Sequence, residues 1–291
     1  MPRQKSLTVA GLAVVFAGLA PASSFSGAAA FEHTRRAVQF GPRPPGSAAL
    51  ARLRGYIIGK LHPLGAEVTE DRFTARTPLG EIRMVNVIAR FPGASGRSVA
   101  VTGHYDTKVM PGMRFVGAND GGASTGFLLE LARVVASSRR RDDVYLVWFD
   151  GEESIGPWSP TDGVYGSRHL AERWEREGML RRLRALINVD MIGDRDLGIL
   201  QEQTSSGQLT ALVWKTAADL GYGKYFQEAG GAVEDDHMPF LNKGVAAMNL
   251  IDFDFPSWHT EADTLDKVSA SSLEIVGRVV VESLRRLGSI N

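Results

Sequence analysis

Residues 144–154 read VYLVWFDGEES, and the fold turns on how that run is interpreted. Its first half, 144–149, is apolar and rich in β-branched and aromatic residues, the pattern of a short strand buried on both faces. Its second half carries Asp150, Glu152 and Glu153 within four positions at the end of that strand. Removing an ionised carboxylate from water costs several kcal/mol unless a partner is supplied. Gly151 lets the backbone turn sharply where a metal or substrate must approach. Taken alone, Asp-Gly-Glu-Glu reads equally as a polar turn leaving a strand, so the rest of the chain has to decide.

Upstream, 67–76 and 83–91 read as paired strands around a turn at 77–80, and 98–102 as a third strand. Apolar residues at 127, 128, 131, 134 and 135 give helical spacing after a glycine-flanked loop at 117–122. Downstream come a helix near 166–177, a strand at 186–190, a helix at 208–220 and a short helix after Asp236. A strand at 245–251 and a helix at 271–287 close the chain. The segment 31–61 reads as two helices around a Gly/Pro-rich loop, 41–47, with Ser47 capping the second. Strands alternating with helices of this length predict an α/β domain with a mostly parallel, helix-covered sheet.

The 291 residues contain no cysteine and equal numbers, 33 each, of Lys+Arg and Asp+Glu. Zero net charge gives no reason to expect nucleic acid or an anionic membrane as partner. Without thiolates, any metal must be held by His, Asp and Glu. Residues 1–30 resemble a secretory leader: Arg3 and Lys5, an apolar run at 7–19, then Ala20-Pro21-Ala22 and Ala28-Ala29-Ala30. The run is short of the roughly 20 residues of a membrane span. The expectation is therefore a leader cut between 22 and 31, one catalytic domain over 31–291, an exported (periplasmic or extracellular) monomer, and no integral span once the leader is removed. A retained N-terminal anchor is the alternative.

In open α/β sheets, sites form beyond the carboxyl ends of the strands. There the predicted elements place His104, Asp106, Asp120, Glu152, Glu153, Asp190, Asp235, Asp236, His237 and His259. Histidines and carboxylates converging on one end of a sheet are the donor set of a catalytic zinc site.

The order His104-x-Asp106, Asp120, Glu152-Glu153, Asp190, His259 resembles the zinc aminopeptidases of family M28, and within them the glutaminyl-peptide cyclotransferases. The stretches that carry the likeness are GHYDTK (103–108), FVGAND (115–120), FDGEES (149–154), WSPTDGVYGSRHLAERW (158–174), EDDHMPFLNKGV (234–245) and FPSWHT (255–260), with the more widely shared FGPRPPGS (40–47). The loop 154–164 between the Glu pair and Tyr165-Gly166-Ser167 is longer than in the peptidases and matches the cyclotransferases. Asn119 and Ser257 are small departures.

The resemblance implies a three-layer αβα fold with a mixed sheet. It makes Asp120, Glu153 and His259 the ligands of one zinc, with His104 and Asp190 able to hold a second, and Glu152 the general acid/base. Asp190 and Asp236 would join Glu152 in a carboxylate network, and Trp158 and Trp258 would wall the pocket for the first residue of a peptide or protein substrate. The implied reaction is closure of an N-terminal Gln to pyroglutamate. An aminopeptidase and a non-catalytic binding platform are the competing readings.

Other residues receive structural readings. Trp148, Trp174 and Trp214 are expected to pack in the interior, His33 and His62 to lie at the surface, and His169 to be hydrogen-bonded within its helix. His237 is expected behind the site or capping the short helix. The arginines at 139–141 and 181–184 lack interleaved aromatics and read as solvated helix ends. Asp106 is a candidate to orient His104.

Overall fold

The structure, a computed structural model, describes residues 24–157, 159–228 and 230–291. Its elements are helices α1 (Gly27–Val38) and α2 (Ala48–Leu61), strands β1 (Glu67–Thr77), β2 (Gly80–Phe91) and β3 (Ser98–His104), helix α3 (Gly122–Ser137) and strand β4 (Asp143–Phe149). There follow α4 (Tyr165–Arg176), β5 (Leu183–Asp190), β6 (Ile199–Gln201), α5 (Gly207–Asp219), β7 (Phe226–Gln227), α6 (Met238–Leu241), β8 (Ala247–Ile251) and α7 (Ala270–Arg286). Every element of four or more residues matches a segment expected from pattern. The two-residue β7 and three-residue β6 were not foreseen, being too short to show a period.

The strands form one sheet in the order β1-β2-β4-β3-β5-β8-β6-β7. At its centre β4, β3, β5 and β8 run parallel to one another. The antiparallel hairpin β1–β2 flanks this block on one side, and β6, antiparallel to β8, on the other. The fold is thus the expected mixed, helix-covered α/β sheet.

The central strand shows why the opening run is apolar throughout. Val144, Leu146 and Trp148 face the larger core, built with α1, α2, α3, α5 and α7, while Tyr145, Val147 and Phe149 face a second core under α4 and α6. Strict alternation between two buried faces leaves no exposed position for a polar residue until the strand ends.

Helix starts follow their caps. Ser26, Ser47 and Ser269 accept backbone N–H groups at the first turns of α1, α2 and α7. The first of these moves an expected boundary: α1 begins at Gly27, and Phe25 and Ala30 already belong to the core. The folded domain therefore reaches upstream of residue 31, while residues 1–23 of the expected leader lie outside the described residues. Among the described residues no helix is long and apolar enough to cross a membrane.

Candidate active site

Four carboxyl ends of the central parallel block deliver the polar residues. His104 is the last residue of β3, Asp190 the last of β5, the Glu152-Glu153 turn follows β4, and His259 lies in the loop after β8. Asp120 arrives from the loop that leads into α3. Gly121 in that loop has φ 77°, and an added Cβ would stand 2.4 Å from the Asp106 carbonyl and 3.0 Å from the His104 ring. Only glycine lets the backbone pass so close to the histidine.

The side chains meet as two donor groups that share Asp120: His104, Asp120 and Asp190 form one, and Asp120, Glu153 and His259 the other. In the first, His104 Nε2 lies 3.1 Å from Asp120 Oδ1 and 3.1 Å from Asp190 Oδ1. In the second, His259 Nε2 lies 3.1 Å from Glu153 Oε1 and 3.4 Å from Asp120 Oδ2. Within each group the donor atoms all lie within 4.8 Å of one another. Asp120 Oδ2 is buried with no hydrogen bond, a cost a bound cation would remove. The donor chemistry and spacing fit a divalent metal with N/O ligands.

Charge at the site is strongly polarised. Burial works against the His259 cation, but Asp120 and Glu153 raise its pKa to about 9. Burial likewise opposes ionisation of Asp120, yet His104 and His259 hold its carboxyl far below the usual range. Asp190 is pushed up to about 7 by burial and by the charges of Asp235 and Asp120, with His104 opposing. His259 also adopts φ 53°, a left-handed backbone uncommon outside glycine.

Glu152 stands beside the second group at the floor of a cleft of about 410 Å³. Burial, together with the charges of Glu153, Asp235 and Asp236, raises its pKa well above the carboxylate norm, with His104 opposing. Asp106 holds the turn that presents it, accepting the backbone N–H of Glu152 at 3.2 Å and of Glu153 at 3.4 Å. Its Oδ1 lies 3.5 Å from His104 Nδ1, but that nitrogen makes no hydrogen bond, so the orienting bond expected between them is not formed.

The structure distinguishes Asp235 from Asp236. Asp235 lines the cleft and accepts from Asn188 Nδ2 on β5 and Asn249 Nδ2 on β8, at 3.1 and 2.6 Å. Asp236 is fully buried behind it, and neither of its oxygens is hydrogen-bonded. It acts on Glu152 through its field, but Asp235 is the carboxylate at the wall. Sequence reasoning placed Asp235 near the site without giving it a role, since nothing local tells which of two adjacent aspartates faces the cleft. His237 occupies the N-cap position of α6 without a side-chain cap bond; its Nε2 instead meets Glu202 at 3.2 Å and Thr204 Oγ1 at 3.0 Å. Glu202, which gave no sequence signal, also accepts the N–H groups of Thr204, Ser205 and Val233, tying down the segment that leads into Asp235.

Trp258 is 41% exposed and stacks on His259 with ring centroids 4.2 Å apart. Phe253, 43% exposed, packs on its other edge at 4.9 Å and also lines the cleft. Trp158 lies outside the described residues. The loop around it forms the opposite wall, through Ser154, Gly156, Pro157, Ser159 and Val164. Asp162 fastens this loop by accepting from Ile155 N (2.9 Å), Gly156 N (2.7 Å) and the Tyr165 hydroxyl (2.7 Å). Lys108 adds a bond to the Ser154 carbonyl at 3.2 Å.

Asn119, a small departure in the pattern, has a definite task. Its amide donates to Met191 O at 3.1 Å and accepts from Gly193 N at 2.8 Å, bracing the turn after Asp190, where Met191 has φ 47°. Elsewhere most structural readings hold, but Arg184 is no solvated helix end: it lies in β5 and donates to the buried Asp142 at 2.6 Å, and Trp214 is only half-buried. Trp148 and Trp174 are buried, and Trp214 packs edge-on against Phe226. His169 meets Asp71 at 3.1 Å and stacks on Phe73. His62 is exposed, whereas His33 is half-buried against the Tyr56 hydroxyl at 2.6 Å.

A family model described as Peptidase family M28 matches residues 86–284. A glutaminyl-peptide cyclotransferase of Drosophila melanogaster is 31% identical over 268 residues, covering 82% of this chain and 76% of that protein. The crystal structure of an Acidobacteriales bacterium glutaminyl cyclase superposes with a TM-score of 0.87 at 36% identity, over 96% of this chain and 99% of that one. A Zn-dependent exopeptidase from Parabacteroides distasonis superposes with a TM-score of 0.83 at 26% identity, over 90% and 98%.

Proposed function

The chain belongs to peptidase family M28, and from that membership and the geometry of the cleft we infer that it is a glutaminyl cyclase, converting N-terminal Gln of peptides or proteins to pyroglutamate with release of ammonia. The observation that carries this reading over the aminopeptidase is the wall made by loop 154–164, fastened by Asp162 and Lys108, which lines the cleft beside Glu152 and Glu153.

Asp120, Glu153 and His259 are the residues we assign to one zinc, with His104 and Asp190 available to a second. A zinc ion held by the first three would supply Lewis-acid polarisation of the substrate γ-carbonyl. The nucleophile belongs to the substrate: its α-amine forms the new C–N bond to the γ-carbonyl carbon, and the side-chain amide C–N bond breaks. Glu152, at the cleft floor, accepts the proton the amine loses and returns it to the departing ammonia, a contribution of roughly 10²–10⁴-fold. Its raised pKa suits a group that must hold and then release a proton near neutrality. Beyond burial, the charges of Glu153, Asp235 and Asp236 favour its protonated form, with His104 opposing. Trp258 and Phe253 face the rest of the peptide from the opposite wall. Ring closure within one bound molecule needs orientation more than activation, on the order of several kcal/mol of advantage.

Incubation of the purified protein with a Gln-initiated peptide tests the assignment. Ammonia and an N-blocked peptide are expected. Free Gln would identify an aminopeptidase, and an unchanged peptide a binding platform. We further propose that the chain acts as an exported monomer, released by cleavage of the leader expected in its first residues.

A further inference from the structure

We propose that Arg43 and Asp263 form a positioning clamp that fixes the Asp120 loop, and with it the shared metal ligand, by gripping five consecutive backbone groups from two sides. Arg43 Nη1 donates to Val116 O at 2.7 Å, and Nη2 to Gly117 O at 3.1 Å. Asp263 takes the next three: its carbonyl accepts Ala118 N at 3.3 Å, Oδ1 accepts Asn119 N at 2.8 Å, and Oδ2 accepts Asp120 N at 3.1 Å. A buried guanidinium thus holds two carbonyls of this loop, while the Asp263 carboxyl group and its backbone carbonyl hold the next three amides. Arg43 lies in the FGPRPPGS motif and Asp263 four positions after His259, so the clamp joins three segments far apart in sequence.

Both side chains are fully buried and neither lines the cleft. Among the described residues the guanidinium pairs with no carboxylate; its remaining bonds go to Gly41 O at 3.1 Å and Tyr105 O at 3.4 Å. Burial pulls its pKa down only to about 10, because Asp263, Asp106 and Asp120 oppose the shift, so it stays charged. Buried charges give little net stability compared with apolar residues of similar volume. What this pair provides is geometry: a planar fork of donors and a two-pronged acceptor, both matched to peptide groups. Gly117, with φ 49°, sits between them, where a Cβ would stand 2.3 Å from the Asp120 carbonyl. Asn119 passes the restraint on to the turn behind Asp190.

The proposal rests on Asp120 being a metal ligand, and its test reads metal binding directly. The metal-stripped protein and its variants are titrated with zinc against a chromophoric chelator, and unfolding of the stripped proteins is followed by urea. Arg43→Lys, which keeps the charge and loses the fork, and Asp263→Asn, which keeps the shape and loses one acceptor, are expected to bind zinc 10- to 100-fold more weakly. Asp71→Asn serves as the control: it breaks a buried network joining β1 to α4 and is expected to lower stability while leaving zinc affinity at the wild-type value. Arg43→Lys and Asp263→Asn proteins that fold and bind zinc like wild type would overturn the clamp, as would equal losses of affinity in the control. Wild-type protein that binds no zinc would instead sink the metal assignment of the preceding section.

Discussion

Glu152 lies in the cleft with its carboxylate accepting no hydrogen bond from the protein among the described residues, so the group can be neutralised without tearing a network. Glu152→Gln is expected to lower kcat by roughly 10²–10⁴-fold, with zinc content and KM near wild type; a loss of bound metal would make Glu152 a ligand instead. Asp235 and Asp236 should separate just as cleanly. Asp235→Asn alters a cleft-lining group held by two asparagines and is expected to reduce kcat tenfold or more. Burial and the neighbouring Asp235 raise the Asp236 pKa well above the carboxylate norm, so Asp236→Asn changes a buried carboxyl that makes no hydrogen bonds; activity should stay within a few-fold and urea stability should hold or rise. A larger kcat loss in Asp236→Asn than in Asp235→Asn would return the catalytic network to Asp236. The gathering of the site's histidines and carboxylates at one end of the sheet was legible in the sequence because each follows the carboxyl end of a predicted strand. Which of Asp235 and Asp236 lines the cleft was not, because Asn188 and Asn249, on two other strands, decide it.

At the scale of elements, the pocket wall and the hairpin edge are each fastened through one buried aspartate. Asp162 accepts two hydrogen bonds within loop 154–164 and a third from Tyr165 at the start of α4, together worth about 2–4 kcal/mol at the usual value per bond. Asp162→Ala should therefore free the wall and raise KM about tenfold, with zinc content unchanged; an unaltered KM would show that the wall does not touch substrate. Asp71 on β1 meets Arg173 at 2.7 Å, His169 at 3.1 Å and Asn86 at 3.0 Å. Burial opposes its ionisation, but these partners lower its pKa below the ordinary value. A carboxyl depressed in the folded state contributes stability that is present above the unfolded pKa near 3.9 and lost as pH falls through the folded value. Asp71→Asn should accordingly cost about 1–3 kcal/mol at pH 7, and the gap from wild type should narrow steadily as pH falls below about 3.9. A gap independent of pH would mean that packing, not charge, is what the substitution removes. These anchors had no sequence signature, since each joins segments whose contact exists only after the sheet has formed. The strands and helices they connect were legible because each buries a regular face.

At the scale of the whole molecule, the direction of the four central strands is what gathers residues from 104 to 259 at one end, and alternation of strands with helices was enough to foresee that. Where the folded chain starts was less legible, because an alanine-rich run after an apolar segment reads equally as the end of a leader and as the first turn of a helix. The structure favours the helix. Phe25, 2% exposed, packs on Phe127 with ring centroids 5.1 Å apart and seats against Gly277 of α7, where an added Cβ would stand 2.3 Å from its ring. The Ser26 N–H donates to Glu130 at 2.8 Å, and its side chain caps α1. Removal of Phe25 and this cap should cost about 4–6 kcal/mol, summing a buried Phe and an N-cap, a large part of the 5–15 kcal/mol of a typical domain. A leader cut after Ala22 preserves both features, whereas a cut after Ala30 removes both. Expression of the full chain in a secreting host, followed by N-terminal sequencing of any processed product, is therefore expected to find a first residue no later than Phe25. A chain truncated to begin at Phe31 should unfold at markedly lower urea than one beginning at Ser23. Matching unfolding midpoints for the two would show that the first turn of α1 adds nothing to the fold and would return the boundary to residue 31.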